Sequence, residues 1–218
     1  MGEQLGFLLV IVLVLIVLYN GSVAREEIIA GNRRWNVLRD YHNSEEAARL
    51  LQSTNAKMMR FLKFMKEKYH INETTEEISD CEDHDTMIAS EPHRIAAALL
   101  DNYNPDVFYE NEPGSNGTSY TLNKGAAMYI CLRNKFDKNT LVDPDMLFFV
   151  MLHEAAHIAN YNGWGHDTQY WEVFKFVLKN AHEAGLYHPK DYSKHPEDYC
   201  GLHVDYNPLL DKNLRVLE

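Results

Sequence analysis

The chain has 218 residues, of which 45% are hydrophobic and 24% charged, proportions typical of one globular domain with or without an appended segment. Its formal net charge of −11 opposes binding to a phosphate backbone, so nucleic acid is not expected as the main partner. Cys81, Cys131 and Cys200 are widely separated and odd in number. They imply no disulfide framework, and we interpret them as unlinked thiols, with at most one bridged pair. The sequence gives no indication of the oligomeric state.

The first segment of the chain is apolar. Residues 5–19 contain no charged side chain; they fall short of the roughly 20 residues that span a bilayer, but extension to Ala24 reaches that length. We therefore predict that residues 1–24 form a single-pass transmembrane anchor that places the protein at a membrane. The alternative is a cleaved signal peptide, because small residues precede Arg25 at the spacing that cleavage requires, and the protein would then be secreted.

Two features disagree about which side of the membrane the globular part occupies. Arginines follow the apolar segment closely and favour a cytoplasmic position. They are Arg25, Arg33, Arg34 and Arg39. Glycosylation sequons begin at Asn72 and Asn116 and would suit a lumenal position. The sequence therefore leaves the orientation open.

The part of the chain after the anchor divides into a connector and a folded domain. Residues 25–43 are polar and mixed, and we interpret them as a juxtamembrane connector that precedes a domain over 44–218. Apolar residues recur at three- and four-residue steps over 44–69, which predicts a long helix with one buried face. The acidic stretch 72–85 is typical of a surface loop. A second helix is predicted over 92–102, where proline stands near its first turn.

The second half of the chain changes character. Residues 118–122 alternate between polar and apolar, and residues 127–132 are apolar and partly β-branched or aromatic. We predict two strands of a small sheet here, joined by a tight turn at Asn-Lys-Gly. Helices follow over 144–160, capped by an aspartate, and over 168–184, closed by a glycine. This order of elements predicts an α+β fold.

The helix predicted over 144–160 carries the sequence HEAAH, from His153 to His157. Residues four apart on a helix lie on one face, so both imidazoles can reach the same zinc ion. Glu154 lies one step round the helix, beside the metal without binding it. There it can act as general base toward a zinc-activated water and pass the proton to the leaving amine. The pattern predicts a site that hydrolyses peptide bonds.

A catalytic zinc site needs a third protein ligand and an open position. Gly163 and Gly165 follow the motif helix and would let the chain reverse, which would bring His166 over the metal. His166 is therefore the predicted third ligand. Glu172, on the next helix, is the main rival, and Glu183 is a more distant one.

Residues 199–206 (YCGLHVDY) form one further candidate stretch. If this stretch returned to the metal, His203 or one of its tyrosines could stabilise an oxyanion.

The stretch HEAAHIANYNGWGHDTQYWEVFKFVL resembles the active-site region of WLM and SprT-like zinc metallopeptidases, including those of large DNA viruses. The resemblance covers roughly residues 90–185. It implies a zincin-like fold, in which the active-site helix packs on a small β-sheet with additional helices. It also implies that His153, His157 and His166 are the zinc ligands and that Glu154 is the general base.

The resemblance carries two further implications and one departure. Tyr170 and Trp171 match the aromatic residues that open the next helix in the family. The strand around 128–132 would be the edge strand on which an extended peptide docks. Eight residues separate His157 from His166, a longer loop than WLM proteins usually have. Members of this family act on protein crosslinked to DNA, a role that the acidic charge and the apolar N-terminus give no reason to carry over.

The sequence therefore predicts a zinc metallopeptidase of the HExxH type, an endopeptidase tethered to a membrane, whose partners are a protein or peptide substrate and the bilayer. The alternative from another class is a catalytically inactive zinc-binding membrane or virion structural protein. The intact Glu154 argues against that alternative, because a structural zinc site needs no general base.

Overall fold

The structure is a computed structural model that describes residues 24–71, 90–113, 118–161 and 163–218. The predicted membrane anchor, apart from Ala24, lies outside the described residues, as do the acidic stretch 72–85, both sequons and Cys81. Among the helices of the described ranges, none combines the length and the hydropathy that crossing a bilayer requires.

A five-stranded mixed sheet carries the fold. Its strands are β1 (Arg25–Ala30), β2 (Arg33–Leu38), β3 (Phe108–Asn111), β4 (Tyr120–Leu122) and β5 (Ala127–Cys131). Their order across the sheet is β1-β2-β3-β5-β4. The outer pairs β1–β2 and β4–β5 are antiparallel, and the inner pairs β2–β3 and β3–β5 are parallel. A separate antiparallel hairpin consists of β6 (Glu197–Tyr199) and β7 (Leu202–Val204).

Four α-helices accompany the sheet in the described part of the chain. They are α1 (Ser44–Lys68), α2 (Glu91–Asn102), α3 (Pro144–Ala159) and α4 (Thr168–Glu183). Each agrees with its predicted range to within one residue at either end, and the predicted hairpin is β4 and β5. The Asp143 carboxylate caps α3 by accepting hydrogen bonds from two backbone amides, and Gly185 follows α4 with a φ of +68°, as a helix stop requires. The α+β prediction is confirmed at this level.

The structure differs from the prediction over residues 25–43, which we interpreted as a connector. Residues 25–38 are β1 and β2, which pair from Arg25 with Leu38 to Ala30 with Arg33. Trp35 and Val37 are buried against α1. The edge strand β1 begins with three charged residues, of which Glu27 is exposed, and charge is common on edge strands. Those charges hid the strand pattern in the sequence. The folded unit therefore includes residues that we assigned to the connector.

Helix α3 lies at the centre of the molecule and packs against α1, α2, α4 and β4. Beyond its first turn, every residue of α3 is buried except His153 and His157. A helix that is apolar on all sides can be stable in water only in such a position. The two histidines therefore mark the one direction in which α3 is open.

A buried ion pair joins the middle of the sheet to the loop before α1. The Glu110 carboxylate accepts a hydrogen bond of 2.6 Å from Arg133 Nε and one of 2.7 Å from the Leu38 amide. Both charged side chains are fully buried. Burial raises the pKa of Glu110, while the Leu38 amide and Arg133 oppose that rise. Arg133 also donates to Asn43 and lies 4.2 Å above the Tyr41 ring. Its guanidinium therefore connects the segment after β5 to β3 and to the loop before α1.

Cys131 and Cys200 form a disulfide, which corrects our interpretation of unlinked thiols. Cys131 ends β5, and Cys200 stands at the turn of the β6–β7 hairpin. The Tyr199 hydroxyl also donates to the Cys131 carbonyl at 2.7 Å. The hairpin is therefore attached to the sheet by a covalent bond and a hydrogen bond at adjacent residues.

We expect the double variant Cys131→Ala/Cys200→Ala to lower the free energy of unfolding by roughly 2–4 kcal/mol. The physical reason is that the disulfide closes a long loop, with 69 residues of sequence separation, and so restricts the unfolded chain. Urea unfolding of the variant and the wild type measures the difference. A thiol reductant should destabilise the wild type and leave the double variant unchanged. Equal stability of the two proteins without reductant would contradict the expectation.

Candidate metal centre

Three histidine side chains converge at the open face of α3. His166 Nε2 lies 3.1 Å from His153 Nε2 and 3.1 Å from His157 Nε2. The three candidate ligand atoms all lie within 4.8 Å of one another, and no other trio of metal-ligating residues in the described part of the chain is so placed. The structure thus brings together the three histidines that the sequence singled out.

The geometry of this cluster fits a zinc ion. Two nitrogens that each lie 2.0–2.1 Å from a tetrahedral ion are roughly 3.3 Å apart. The two Nε2–Nε2 distances of 3.1 Å are close to that value. Burial, together with the neighbouring imidazoles, lowers the pKa of His153 to about 3. Burial likewise lowers the pKa of His157 to about 4, with contributions from His166 and Lys124, and it lowers the pKa of His166. Neutral imidazoles are the form that binds a metal.

The loop after α3 presents His166, and Lys124 holds that loop. Gly165 has a φ of +74°, a conformation that glycine adopts without strain. A side chain at Gly163 would meet Asn160 Nδ2 at 2.7 Å, so the loop passes close to the end of the helix. Lys124, in the turn between β4 and β5, donates to the carbonyls of Asn160 and Gly163. The turn between β4 and β5 therefore holds the chain before His166 at two residues, Asn160 and Gly163.

Aromatic rings support the histidines from the side of α4. The Tyr170 ring stacks on His157 with centroids 4.3 Å apart and meets His153 and His166 edge-on. Its hydroxyl donates to the His153 carbonyl at 3.2 Å. Trp171 stacks on His166 at 5.7 Å. The two aromatic residues that the family resemblance singled out thus both contact the cluster.

Glu154 is buried beside the histidines and faces the sheet. Its Oε2 accepts a hydrogen bond of 2.7 Å from the hydroxyl of Thr121, in β4. Burial raises the pKa of Glu154 to about 7, and the hydrogen bond from Thr121 partly opposes that rise. A cavity of about 260 Å³ opens onto Glu154 and all three histidines, with Tyr120 and Trp164 also on its walls. A group bound in this cavity would contact both the metal ligands and the carboxylate.

The alternative ligands lie elsewhere. Glu172 accepts a hydrogen bond of 3.1 Å from Arg215 Nε, and Glu183 pairs with Lys68. Neither belongs to the histidine cluster.

The β6–β7 hairpin does return to the site, but its polar groups are engaged. The His203 ring lies 3.1 Å from Asp198 and lines a second cavity that also contains Glu154. The Tyr199 hydroxyl is bound to Ser119 and to the Cys131 carbonyl. A role for either residue at an oxyanion stays a prediction.

The edge-strand prediction is wrong. We expected the strand around 128–132 at the edge, but β5 lies between β3 and β4. The edge beside the site is β4, which packs against α3. One side of β5 pairs in parallel with β3, so β4 pairs with the other side of β5 and becomes the edge strand. Thr121 and Lys124 contribute to the site from this hairpin, and no motif in the sequence marked either of them.

Comparison with known proteins gives viral relatives. No family model matches the chain. The chain is 29% identical over 167 residues to an uncharacterized protein of Acanthamoeba polyphaga mimivirus, covering 77% of this chain and 75% of that protein. It is 34% identical over 70 residues to an uncharacterized protein of Invertebrate iridescent virus 6, covering 32% of this chain and 38% of that protein. Among solved structures, Wss1 from Saccharomyces cerevisiae matches with a TM-score of 0.33 and 17% identity, covering 49% of this chain and 87% of that one. At that score the likeness does not establish a common fold.

We expect His166→Ala to lose most of its zinc, falling from about one ion per chain, because two histidines on one helix leave a weak site. Glu172→Ala should retain zinc, because Glu172 pairs with Arg215 and lies outside the cluster. Metal analysis after dialysis measures both contents. Full zinc retention in the His166 variant would exclude it as a ligand.

We expect Lys124→Met to weaken zinc binding by about tenfold or more, the scale typical of groups that orient a ligand. The loop that presents His166 would lose two hydrogen bonds at once. Competition with a zinc-binding dye measures the affinity. Lys57→Met is the matched control, because Lys57 pairs with Asp145 at the start of α3 and should bind zinc as tightly as the wild type. Equal affinity in the two variants would disprove the role of Lys124.

Proposed function

We propose that the protein is a zinc-dependent metallopeptidase that hydrolyses internal peptide bonds of a protein substrate. One observation carries the proposal: three imidazole nitrogens lie close enough together to bind one metal ion, and a buried carboxylate lines the same cavity. Zinc itself would be held by His153, His157 and His166. The resemblance of the HEAAH stretch to WLM and SprT-like peptidases supports the same assignment.

A zinc ion in a site with an open position lowers the pKa of a water to about 7 and polarises a carbonyl. The protein supplies the group that moves the proton. Glu154 lies next to His153 in sequence and opens onto the same cavity, so it would accept a proton from the attacking water and deliver it to the leaving amine.

Thr121 would orient Glu154 for that role. Its hydroxyl engages one carboxylate oxygen, Oε2, and no described residue is seen to donate to the other. With Oε2 bound to Thr121, the other carboxylate oxygen would be the one that accepts the proton. The hydrogen bond from Thr121 would thus reduce the reorganisation that proton transfer requires.

The exposed edge of β4 would bind the substrate backbone. Strand β4 pairs with β5 on one side only, and both Tyr120 and Leu122 have exposed side chains. An extended peptide can add to such an edge by main-chain hydrogen bonds. Because Thr121 of the same strand contacts Glu154, a peptide docked there would pass over the candidate metal centre.

The setting of the activity is also a proposal. Residues 1–24 would tether the domain to a membrane, with secretion after cleavage as the alternative. The disulfide between Cys131 and Cys200 favours the lumenal or extracellular side, because disulfides persist in oxidising compartments. The viral relatives favour a virus as the source of the protein.

We expect Glu154→Gln to retain zinc and to lose cleavage by at least about a hundredfold, the lower end of what a general acid–base contributes. The amide keeps the shape of the side chain and cannot accept the proton. Zinc content and cleavage of unfolded casein are measured on the same preparation, with and without a chelator. Glu172→Gln is the matched control and should leave both unchanged. Unchanged cleavage in the Glu154 variant would disprove the proposal, and a zinc-loaded wild type that cleaves nothing would favour a structural zinc protein.

A further inference from the structure

A second cavity adjoins the candidate metal centre on the side away from Lys124. Its volume is about 220 Å³. Helices α3 and α4 form one wall and the β6–β7 hairpin with the residues after it forms the other. The apolar residues of these walls are Phe149, Val150, Trp171, Phe174, Leu202, Val204 and Tyr206. We refer to this cavity as the hairpin pocket.

The hairpin pocket is continuous with the metal centre. His153, Glu154 and Ser119 line both the hairpin pocket and the cavity that opens onto the three histidines. A peptide bond placed beside Glu154 would therefore have one flanking side chain at the mouth of the pocket. The occupant that this continuity favours is part of the substrate.

The pocket has a rigid floor. The Phe149 ring contacts Phe174 at 5.3 Å and Tyr192 at 5.0 Å between centroids, and both phenylalanines are buried in the core. Its outer wall is also held in place: the disulfide fixes the hairpin turn, and the Tyr206 ring meets Trp171 edge-on at 5.2 Å. Preformed, mostly apolar walls of this kind are typical of ligand pockets.

We propose that the hairpin pocket receives a large apolar side chain of the substrate next to the scissile bond, and so makes the enzyme selective for leucine, methionine or phenylalanine there. This inference rests on the proposed function. A dry cavity of about 150 Å³ lined by aliphatic and aromatic groups holds a benzene molecule, so the hairpin pocket has room for a phenyl ring. A charged side chain would lose part of its hydration against the apolar walls. An acidic one would also lie near Asp205, and His203 is already paired with Asp198.

Leu202 is the residue that tests this selectivity most directly. Its side chain is 54% exposed although it lines the pocket, so a change there should alter the pocket without disturbing the core. Leu210 has a similar exposure of 45% and does not line the pocket. Leu202→Lys and Leu210→Lys are therefore a matched pair that introduces the same positive charge in and out of the pocket.

The first measurement is kcat/KM over a peptide series that varies only the residue flanking the cleaved bond. Wild type and Leu210→Lys should prefer phenylalanine, leucine and methionine to aspartate by at least about tenfold, the lower end of what an apolar pocket provides. Leu202→Lys should lose that preference at unchanged zinc content, because the new ammonium group can pair with aspartate. A flat series in an active wild type, or the same preference in both variants, would overturn the proposal.

The second measurement does not need catalysis. Binding of N-acetyl-phenylalanine amide and N-acetyl-aspartate amide is followed by the fluorescence of the three tryptophans, one of which, Trp171, lines the pocket. The phenylalanine compound should bind wild type and Leu210→Lys more tightly than the aspartate compound, and Leu202→Lys should not discriminate. Discrimination by a protein that cleaves nothing would overturn the proposed function and keep the pocket as an apolar side-chain site. Absence of discrimination would overturn the pocket and leave the peptidase proposal to its own test.

Discussion

Burial of α3 on nearly every side is the constraint on which the rest of the structure depends. Three helices and β4 pack around it, and each buried apolar side chain contributes roughly 1.5–3 kcal/mol. Because the surrounding elements close all other directions, the side chains of His153 and His157 define the only accessible face beyond the first turn. The elements that meet this face, the loop of His166, the β4–β5 hairpin and the β6–β7 hairpin, form the candidate site. Its geometry is thus a consequence of how the central helix is covered.

The site combines parts that are far apart in the chain, and each part has its own support. Lys124 holds the backbone of the loop that carries His166, Thr121 binds the Glu154 carboxylate, and Tyr170 packs against the imidazoles. In each of these contacts at least one of the two residues lies outside the HEAAH motif. The candidate site thus depends on the hairpin between β4 and β5 as much as on the HEAAH helix. The hairpin is in turn held to the sheet, because β5 pairs with β3 and the buried ion pair of Glu110 with Arg133 links β3 to the residues that follow β5.

The elements that could be predicted from the sequence are those with a long hydrophobic periodicity or with capping residues at their ends. The four helices could be recognised from periodicity and caps, and the convergence of His166 on the motif followed from the glycines of its loop. The first two strands could not be recognised, because β1 begins with three charged residues and β2 with two, so that only Trp35 and Val37 are left to show the alternation of β2. The four-residue strand β3 is too short for any period to show. The pairing of Cys131 with Cys200, the position of β4 at the edge and the contacts of Thr121 and Lys124 all depend on tertiary packing, which no local pattern encodes.

The β6–β7 hairpin, which forms the outer wall of the hairpin pocket, bears on how the sequence of the pocket can change among related proteins. All three histidines and Glu154 precede Glu183 in the chain, whereas the outer wall of the pocket comes from residues 197–206. The histidines that would bind the metal therefore lie in a different stretch of sequence from this outer wall, although α3 and α4 supply the inner wall. The disulfide holds the outer wall to β5, and the contact of Tyr206 with Trp171 holds it to α4. Substitutions at Leu202 or Val204 would change the shape of the pocket without altering a histidine of the cluster. The outer wall could therefore vary among relatives while the three histidines stay the same.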